Sequence, residues 1–523
     1  VCLGLGGRRF SPRDQSIRYR LAGPGGSVKN MKRIAEHPLS LSKNSSRFGK
    51  VTNTLIFAFL TILLGALGFV SASNLLDHEI SVRSGIMMIV FIFVLAGSIF
   101  TIILFARKSI KFTLVLILGL AFFLRIAPIL WVHTEPISDF MLMLQKARES
   151  SAGSFDWART NTGYFSMWAY QIPFVLFQSL ILRISPTVKA IQLVNLLFMT
   201  GTVGLIYAIA KKYFSEVAGL IAAFLYAIYP GAIHMASVLT NQHVSLFFMM
   251  AGLTAFSYSK RYLGFAAAGL LLGLSNLMRP EGVLIMTALL YVGLIRWIES
   301  PEKKDVLQIL SCLAVVVAAY YFPQKGFENL MHWVGIAPNG FRIYAPEWKF
   351  VLGLDATSEF GGYSVKHARI LQIADSTSRK EAVKDIITAS FRQCDNIPSF
   401  FGRKIEAFWA SDEAVNWSTA GLSGTSEMFP WMNIRQYAQG IIHTEAIERT
   451  LLYLLAAIGC GIAALRRKRT GLLFAGIVCC VFAVYLLIEV QTRYRYSVIP
   501  FVCILAAMLF DHQSNRKIDS PKS

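Results

Sequence analysis

Asp139 is the residue on which chemistry in this chain would turn. It follows an apolar segment that carries Arg125 and meets prolines at Pro128 and Pro136. An amphipathic stretch, a small-residue loop and a run of aromatics come after it, up to Pro173. A carboxylate released just beyond hydrocarbon, beside an apolar slot, suits a general base or an anchor for an acceptor hydroxyl. The same position also suits a solvated acid that caps the next helix, since Ser138-Asp139 precedes the amphipathic run. Local sequence leaves both readings open. Glu135, next to Pro136, is a second candidate acid.

Two basic motifs could serve such an acid. Arg279-Pro280-Glu281-Gly282 joins two apolar segments with almost no loop. A guanidinium there is costly against lipid, so it should face protein, water or an anion, or snorkel to the interface with Glu281 as partner. Arginine suits phosphate because its planar fork donates two parallel hydrogen bonds. Gln491-Thr492-Arg493-Tyr494-Arg495-Tyr496 interleaves two arginines with two tyrosines, which fits an anionic headgroup site and equally an ordinary interfacial belt. Lys189, Lys349, Lys366, Arg403 and Lys404 are further cations that could contact phosphate or acceptor.

The elements that must position these groups are membrane helices. Of the 523 residues 54% are hydrophobic and only 15% charged, and apolar runs of about 18–22 residues alternate with short basic connections. The net charge of +21 therefore orients the chain in a bilayer and does not imply nucleic acid as a partner. The cysteines form neither a disulfide framework nor a metal-ligand spacing. Spans are expected near 53–75, 85–105, 112–130, 187–209, 215–232, 242–259, 262–279, 281–298, 306–323, 450–465, 470–489 and 497–511. The segment 167–184 is ambiguous. If it lies along the surface, Arg107-Lys108, Lys211-Lys212, Lys260-Arg261, Lys303-Lys304, Arg466 to Arg469 and Arg516-Lys517 all fall on the side of the basic N-terminus, as the positive-inside rule requires. The expected fold is thus an all-α polytopic membrane protein of about twelve spans, with both termini cytoplasmic. The expected units are a basic tail at 1–50, two extra spans at 51–111 and a core at 112–323. Within that core the first external loop is 131–186. An external domain of mixed structure at 324–449, closing helices at 450–511 and a cytoplasmic tail at 512–523 complete the chain. The first methionine is Met31, so residues 1–30 read as an upstream extension. Asp139, Asn241-Gln242, Arg279, Glu281 and the stretch from Glu489 to Arg495 share the outer side in this topology.

In that order and on that side, Leu124-Arg125 with Ser138-Asp139, AGLIAAFLYAIYPGAIHMASVLTNQ, AAAGLLLGLSNLMRPEGVLI and QTRYRYSVIP resemble the membrane glycosyltransferases that use polyprenyl-phosphate sugars. These are the protein O-mannosyltransferase-like and aminoarabinose-transferase-like enzymes of the GT-C superfamily. The resemblance covers about 112–511 and implies a GT-C-like bundle with external juxtamembrane helices. It implies transfer of a sugar from a polyprenyl-phosphate donor to a hydroxyl of a protein, glycan or lipid acceptor in the cell envelope. Asp139, or Glu135, would act as the catalytic acid. Arg279, Arg493 and Arg495, with Glu281 and Tyr494 beside them, would hold the departing phosphate. Asn241 and Gln242 would be neutral substrate contacts where relatives often carry a carboxylate. No cofactor is specified, and a divalent metal is left open. The location implied is a plasma membrane of bacterial type, with the site on the external face. A twelve-span transporter of an envelope precursor is the alternative.

Overall fold

The computed structural model describes residues 47–76, 81–131, 134, 136–160, 163–299, 303–337, 343–358, 362–411, 417–419 and 433–511. The N-terminal tail to residue 46, Glu135 and the tail from residue 512 lie outside them. The main helices are α1 (Arg47–Leu76), α2 (Ser81–Lys108), α3 (Ile110–Trp131), α4 (Ser138–Ser151), α5 (Ile172–Ile184), α6 (Val188–Tyr213), α7 (Glu216–Ile228) and α8 (Gln242–Tyr258). They continue as α9 (Tyr262–Met278), α10 (Gly282–Glu299), α11 (Lys303–Trp333), α12 (Trp348–Leu354), α13 (Ser376–Arg392), α14 (Ile397–Trp409), α15 (Ile434–Leu465), α16 (Leu472–Leu487) and α17 (Ile499–Ala507). The protein is an all-α polytopic membrane protein, and the part from α12 to α14 expected to be mixed is helical among the described residues. The sequence of α13 shows why, since its apolar residues recur at helical rather than alternating spacing.

Among the described residues, seven helices are long and apolar enough to cross a bilayer, and eight if the bent pair Glu216–Ile228 and Pro230–Ser237 counts as one. The other four expected spans are α8, α9, α16 and α17, which are 17, 17, 16 and 9 residues long. At about 1.5 Å per residue even the longest falls short of a hydrocarbon core of roughly 30 Å. Each of these four runs into non-helical backbone: α8 starts after Thr240, α9 ends at Arg279-Pro280, α16 runs into 488–491, and α17 follows a 3-10 turn, Thr492–Ser497. Irregular backbone within a membrane protein survives only where it is buried in protein or lines a cavity. The short helices therefore mark the site. The α5 helix, 13 residues long, is likewise too short to cross and packs on amphipathic α4.

Arg125 lies within its helix. α3 continues to Trp131 through Pro128, and Arg125 is fully buried. Its role follows from Pro230, which starts the 58° bend after α7. Proline has no N–H, so the Tyr226 carbonyl four residues earlier loses its helical donor. Arg125 replaces it, donating from Nη2 to Tyr226 O at 2.9 Å and from Nη1 to Ala227 O at 2.8 Å. Leaving a buried carbonyl unmet costs about 1–3 kcal/mol. Arg125→Met is therefore expected to lower the thermal midpoint sharply and reduce folded yield, read by size-exclusion profile after solubilisation. A normal midpoint would refute this stapling role.

The segment that carries α14 is fastened to the bundle by a buried ion network. The last carbonyls of a helix have no partner of their own, and in α14 side chains supply them. Arg495 donates to Phe408 O at 2.9 Å and Ser411 O at 2.8 Å, Tyr453 to Trp409 O at 2.8 Å, and Arg449 to Ala410 O at 2.7 Å. Glu445 balances the charge, 3.1 Å from Arg495 and 3.7 Å from Arg449. Arg449 Nε also reaches Ser71 Oγ at 3.2 Å, which ties in α1. α1 is thus part of the scaffold and packs along α15.

Candidate active site

One cavity that opens to solvent gathers Asp139, Asn241, Arg279, Arg493 and Tyr494. Five of the residues singled out from sequence thus meet although they lie on four separate segments. Asp139 sits in the first turn of α4, where the helix dipole favours negative charge. It does not cap that helix. The N-cap is Ile137, with no side-chain bond to the helix N-terminus, and Asp139 Oδ2 instead faces Arg493 Nη2 at 3.5 Å. Its side chain stays 36% exposed, so an incoming group can reach it. Ser138 adopts φ 52°, a left-handed conformation that non-glycine residues hold only where the surroundings enforce it. Tyr164 lies against the same carboxylate. Burial first, and then the charge of Asp139, push its phenol above the usual tyrosine range.

Arg493 is held on several sides. Its Nε donates to Gln491 Oε1 at 2.7 Å. Its guanidinium lies 4.4 Å from the Trp417 ring centroid and 5.0 Å from that of Phe140. Such stacking fixes a planar cation while its N–H edge remains available for an anion. Arg279, at the end of α9, pairs with Glu281 and donates to Asn241 Oδ1 at 3.4 Å. Asn241 in turn donates to Gln171 Oε1 at 2.9 Å and Met278 O at 2.8 Å. Gln242 stands behind the cavity wall, donating to the Arg493 carbonyl at 2.7 Å, and so holds the backbone of that arginine. Arg495 is turned away into the ion network beneath. Among the described residues, no cluster of three or more His, Cys, Asp or Glu side chains is placed to hold a metal ion.

Tyr164, Trp168, Tyr170, Gln171, Tyr363 and Glu489, none of them expected as a site residue from sequence, also line the cavity. The signal for Glu489 was a lone acid closing an apolar segment otherwise free of charge, 472–490. Its position depends on two glycines. A Cβ on Gly353 would lie 2.1 Å from the Ile488 carbonyl carbon, and one on Gly362 would lie 2.1 Å from a Val490 methyl. Both segments therefore close directly on 488–491, with Glu489 N–H donating to Lys349 O at 3.2 Å and Val490 N–H to Gly362 O at 2.9 Å.

Of the additional cations, Lys189, Lys366 and Arg403 are exposed. Lys349 stands over the rings of Tyr170 at 4.7 Å and Trp168 at 5.4 Å, and burial holds its amine below the usual lysine range. Lys404 is 1% exposed and donates to Gly353 O. Burial lowers its pKa to about 7, with the Glu489 charge opposing that shift. Between that value and the ordinary 10.5 the unfolded chain binds a proton that the folded chain releases, so unfolding free energy rises with pH across this window. Below about 7 both states are protonated and the full burial penalty remains. Lys404→Met is expected to flatten the rise in thermal midpoint between pH 7 and pH 10, measured side by side with the parent. Parallel curves would contradict it.

A polytopic helical bundle with a polar, two-arginine cavity at its broken helix ends is the class that fold and site define. Residues 172–322 match the family of dolichyl-phosphate-mannose-protein mannosyltransferases. The matched stretch contains Asn241, Arg279 and Glu281, while Asp139, Glu489 and Arg493 lie outside it. Among solved structures, the chain is similar to the oligosaccharyltransferase of Archaeoglobus fulgidus in its apo form, at 11% identity and a TM-score of 0.39, covering 77% of this chain and 50% of that one. The archaeal oligosaccharyltransferase AglB from the same organism, in complex with an inhibitory peptide and a dolichol-phosphate, gives 12% identity and a TM-score of 0.31, covering 77% and 56%. The chain spans about half the length of these structures, and nothing further rests on so distant a likeness. No curated protein sequence matches the chain.

Proposed function

We propose that the protein transfers a sugar from a polyprenyl-phosphate-linked donor to an acceptor hydroxyl on the outer face of a bacterial-type plasma membrane. In this reading both termini are cytoplasmic and the four short helices complete a twelve-span bundle. The observation that carries it is the meeting of Asp139, Arg279 and Arg493 in one cavity. Asp139 accepts the proton of the acceptor hydroxyl as that oxygen attacks the anomeric carbon. The bond from that carbon to the phosphate oxygen breaks, and polyprenyl phosphate leaves with the electron pair. Arg279 and Arg493 take up the charge that develops on the leaving oxygen, already oriented by Asn241, Gln491 and the aromatic stack.

Wet access at Asp139 and dry flanks at Arg493 suit an acceptor that arrives from the aqueous side and a donor that arrives from the bilayer. The acceptor class comprises protein, glycan and lipid hydroxyls. The test is reconstitution in liposomes containing a radiolabelled polyprenyl-phosphate sugar, with glycosylated acceptor and bare polyprenyl phosphate separated as products. Their joint appearance is expected. Movement of the labelled lipid across the bilayer with no glycosyl product would overturn the reading in favour of a transporter.

A further inference from the structure

The cavity has two chemically different ends, and one side chain joins them. Arg279 stands 4.7 Å and Arg493 5.6 Å from the Tyr494 ring centroid, while the Tyr494 hydroxyl donates to Glu489 Oε1 at 3.1 Å. Cations therefore collect about the ring, and a carboxylate sits beyond the hydroxyl. A phosphate is drawn to the first end and repelled from the second. Glu489 has no place in holding a leaving phosphate, yet it lines the cavity and is 5% exposed. An ionised carboxylate is acceptor-only, with room for several hydrogen bonds, and Tyr494 uses one of them.

The surroundings of Glu489 define what it can accept. Trp168 and Tyr170 line the same cavity with ring centroids 6.0 Å apart at 76°. An edge-to-face aromatic pair beside a carboxylate matches a ligand with apolar C–H surface edged by hydroxyls. Lys349 already stands over those two rings, and its charge is the largest one acting to keep Glu489 ionised. With that cation in place, neutral donors suit the carboxylate better than a second ammonium.

We propose that Glu489 reads the sugar: its carboxylate accepts hydrogen bonds from hydroxyls of an uncharged sugar ring whose C–H groups pack against the wall formed by Trp168 and Tyr170, an assignment that rests on the transferase reading above. Tyr494 then sets the distance between the sugar-reading carboxylate and the phosphate-holding arginines. Glu489 acts on recognition of the donor, and Asp139 on the proton of the acceptor. Burial raises the Glu489 carboxyl above its ordinary range, so acidification protonates it and weakens its acceptor role before it affects the arginines.

The full-length protein in nanodiscs is titrated with bare polyprenyl phosphate and with polyprenyl phosphate carrying a neutral sugar, binding being read by native mass spectrometry. The parent is expected to favour the glycosylated lipid. Glu489→Gln should lose about tenfold or more of that preference while holding the bare lipid as before, since a hydrogen bond to a charged group is worth about 1.5–3 kcal/mol. Trp168→Leu should act in the same direction. In the parent, the preference should also shrink as pH is lowered. Equal weakening of both lipids by Glu489→Gln would make the residue structural and overturn the proposal, as would an unchanged preference. If that variant fails to fold, the pH series on the parent decides, and a pH-independent preference overturns the proposal. Tighter binding of an aminosugar lipid than of a neutral one overturns the uncharged assignment. A parent that prefers the glycosylated lipid but transfers nothing refutes the transferase reading and leaves Glu489 as the sugar contact.

Discussion

Asp139→Asn is expected to reduce sugar transfer by about 10²–10⁴-fold, the range that a positioned general base supplies. The variant keeps the size of the side chain and removes only its capacity to take a proton. Folding should be untouched, because Asp139 makes no helix-cap bond and its ion pair to Arg493, at 3.5 Å, is partly exposed. Exposed pairs contribute about 0–1 kcal/mol. Affinity for the lipid donor should hold or improve, since Arg493 loses its competing carboxylate. The measurement is steady-state transfer with donor and acceptor varied separately, together with the thermal midpoint of the purified variant. A fall in kcat without a rise in donor KM is the expected signature. Undiminished transfer would remove Asp139 from the role and pass it to another carboxylate, Glu135 first.

The two arginines of the late motif should behave oppositely. Arg493→Met is expected to leave a folded protein that has lost about 10²–10³-fold in turnover, as when one group stabilising transition-state charge is removed. Its guanidinium edge faces the cavity and its bonds are to Gln491 and Asp139, so little of the scaffold depends on it. Arg495→Met should damage the scaffold itself. It strips donors from Phe408 O and Ser411 O and takes away the nearer cation of Glu445. Breaking a buried pair from one side costs about 3–5 kcal/mol, a large part of a total stability of about 5–15 kcal/mol. Low yield and a lowered midpoint are expected. The double variant Arg495→Met with Glu445→Gln should recover part of the midpoint by removing the stranded charge. An Arg495→Met protein with a normal midpoint and a selective loss of donor binding would return Arg495 to the site.

Much of the candidate site was legible because its residues violate the membrane pattern. A carboxylate at Asp139, an arginine between two apolar segments at Arg279 and an Arg-Tyr run after an apolar stretch all resist burial in lipid. Charge is conspicuous in a sequence whose usual content is aliphatic, and the cost of placing it in hydrocarbon forces it toward a shared polar space. Arg125 stood out for the same reason but serves a different end. Its partners are the carbonyls of Tyr226 and Ala227, about a hundred residues on, and nothing local to residue 125 announces them. The aromatic wall was hidden for the converse reason, because Trp168 and Tyr170 look like interfacial anchors until the cavity is seen beside them.

The sequence by itself determined the all-α membrane class, the arrangement of apolar runs and the identity of the polar residues that had to leave the lipid. These follow from composition and periodicity, which act locally. Only the tertiary structure decided which of those residues meet. Arg493 and Arg495 look equivalent in the alternation Arg-Tyr-Arg-Tyr, since an extended chain would put both on one face. The segment Thr492–Ser497 is instead a 3-10 turn, at about three residues per turn. Residues two apart then point in different directions, so Arg493 enters the cavity and Arg495 enters the ion network. Glu489 likewise became a wall of the site only because Gly353 and Gly362 let distant backbone close on it.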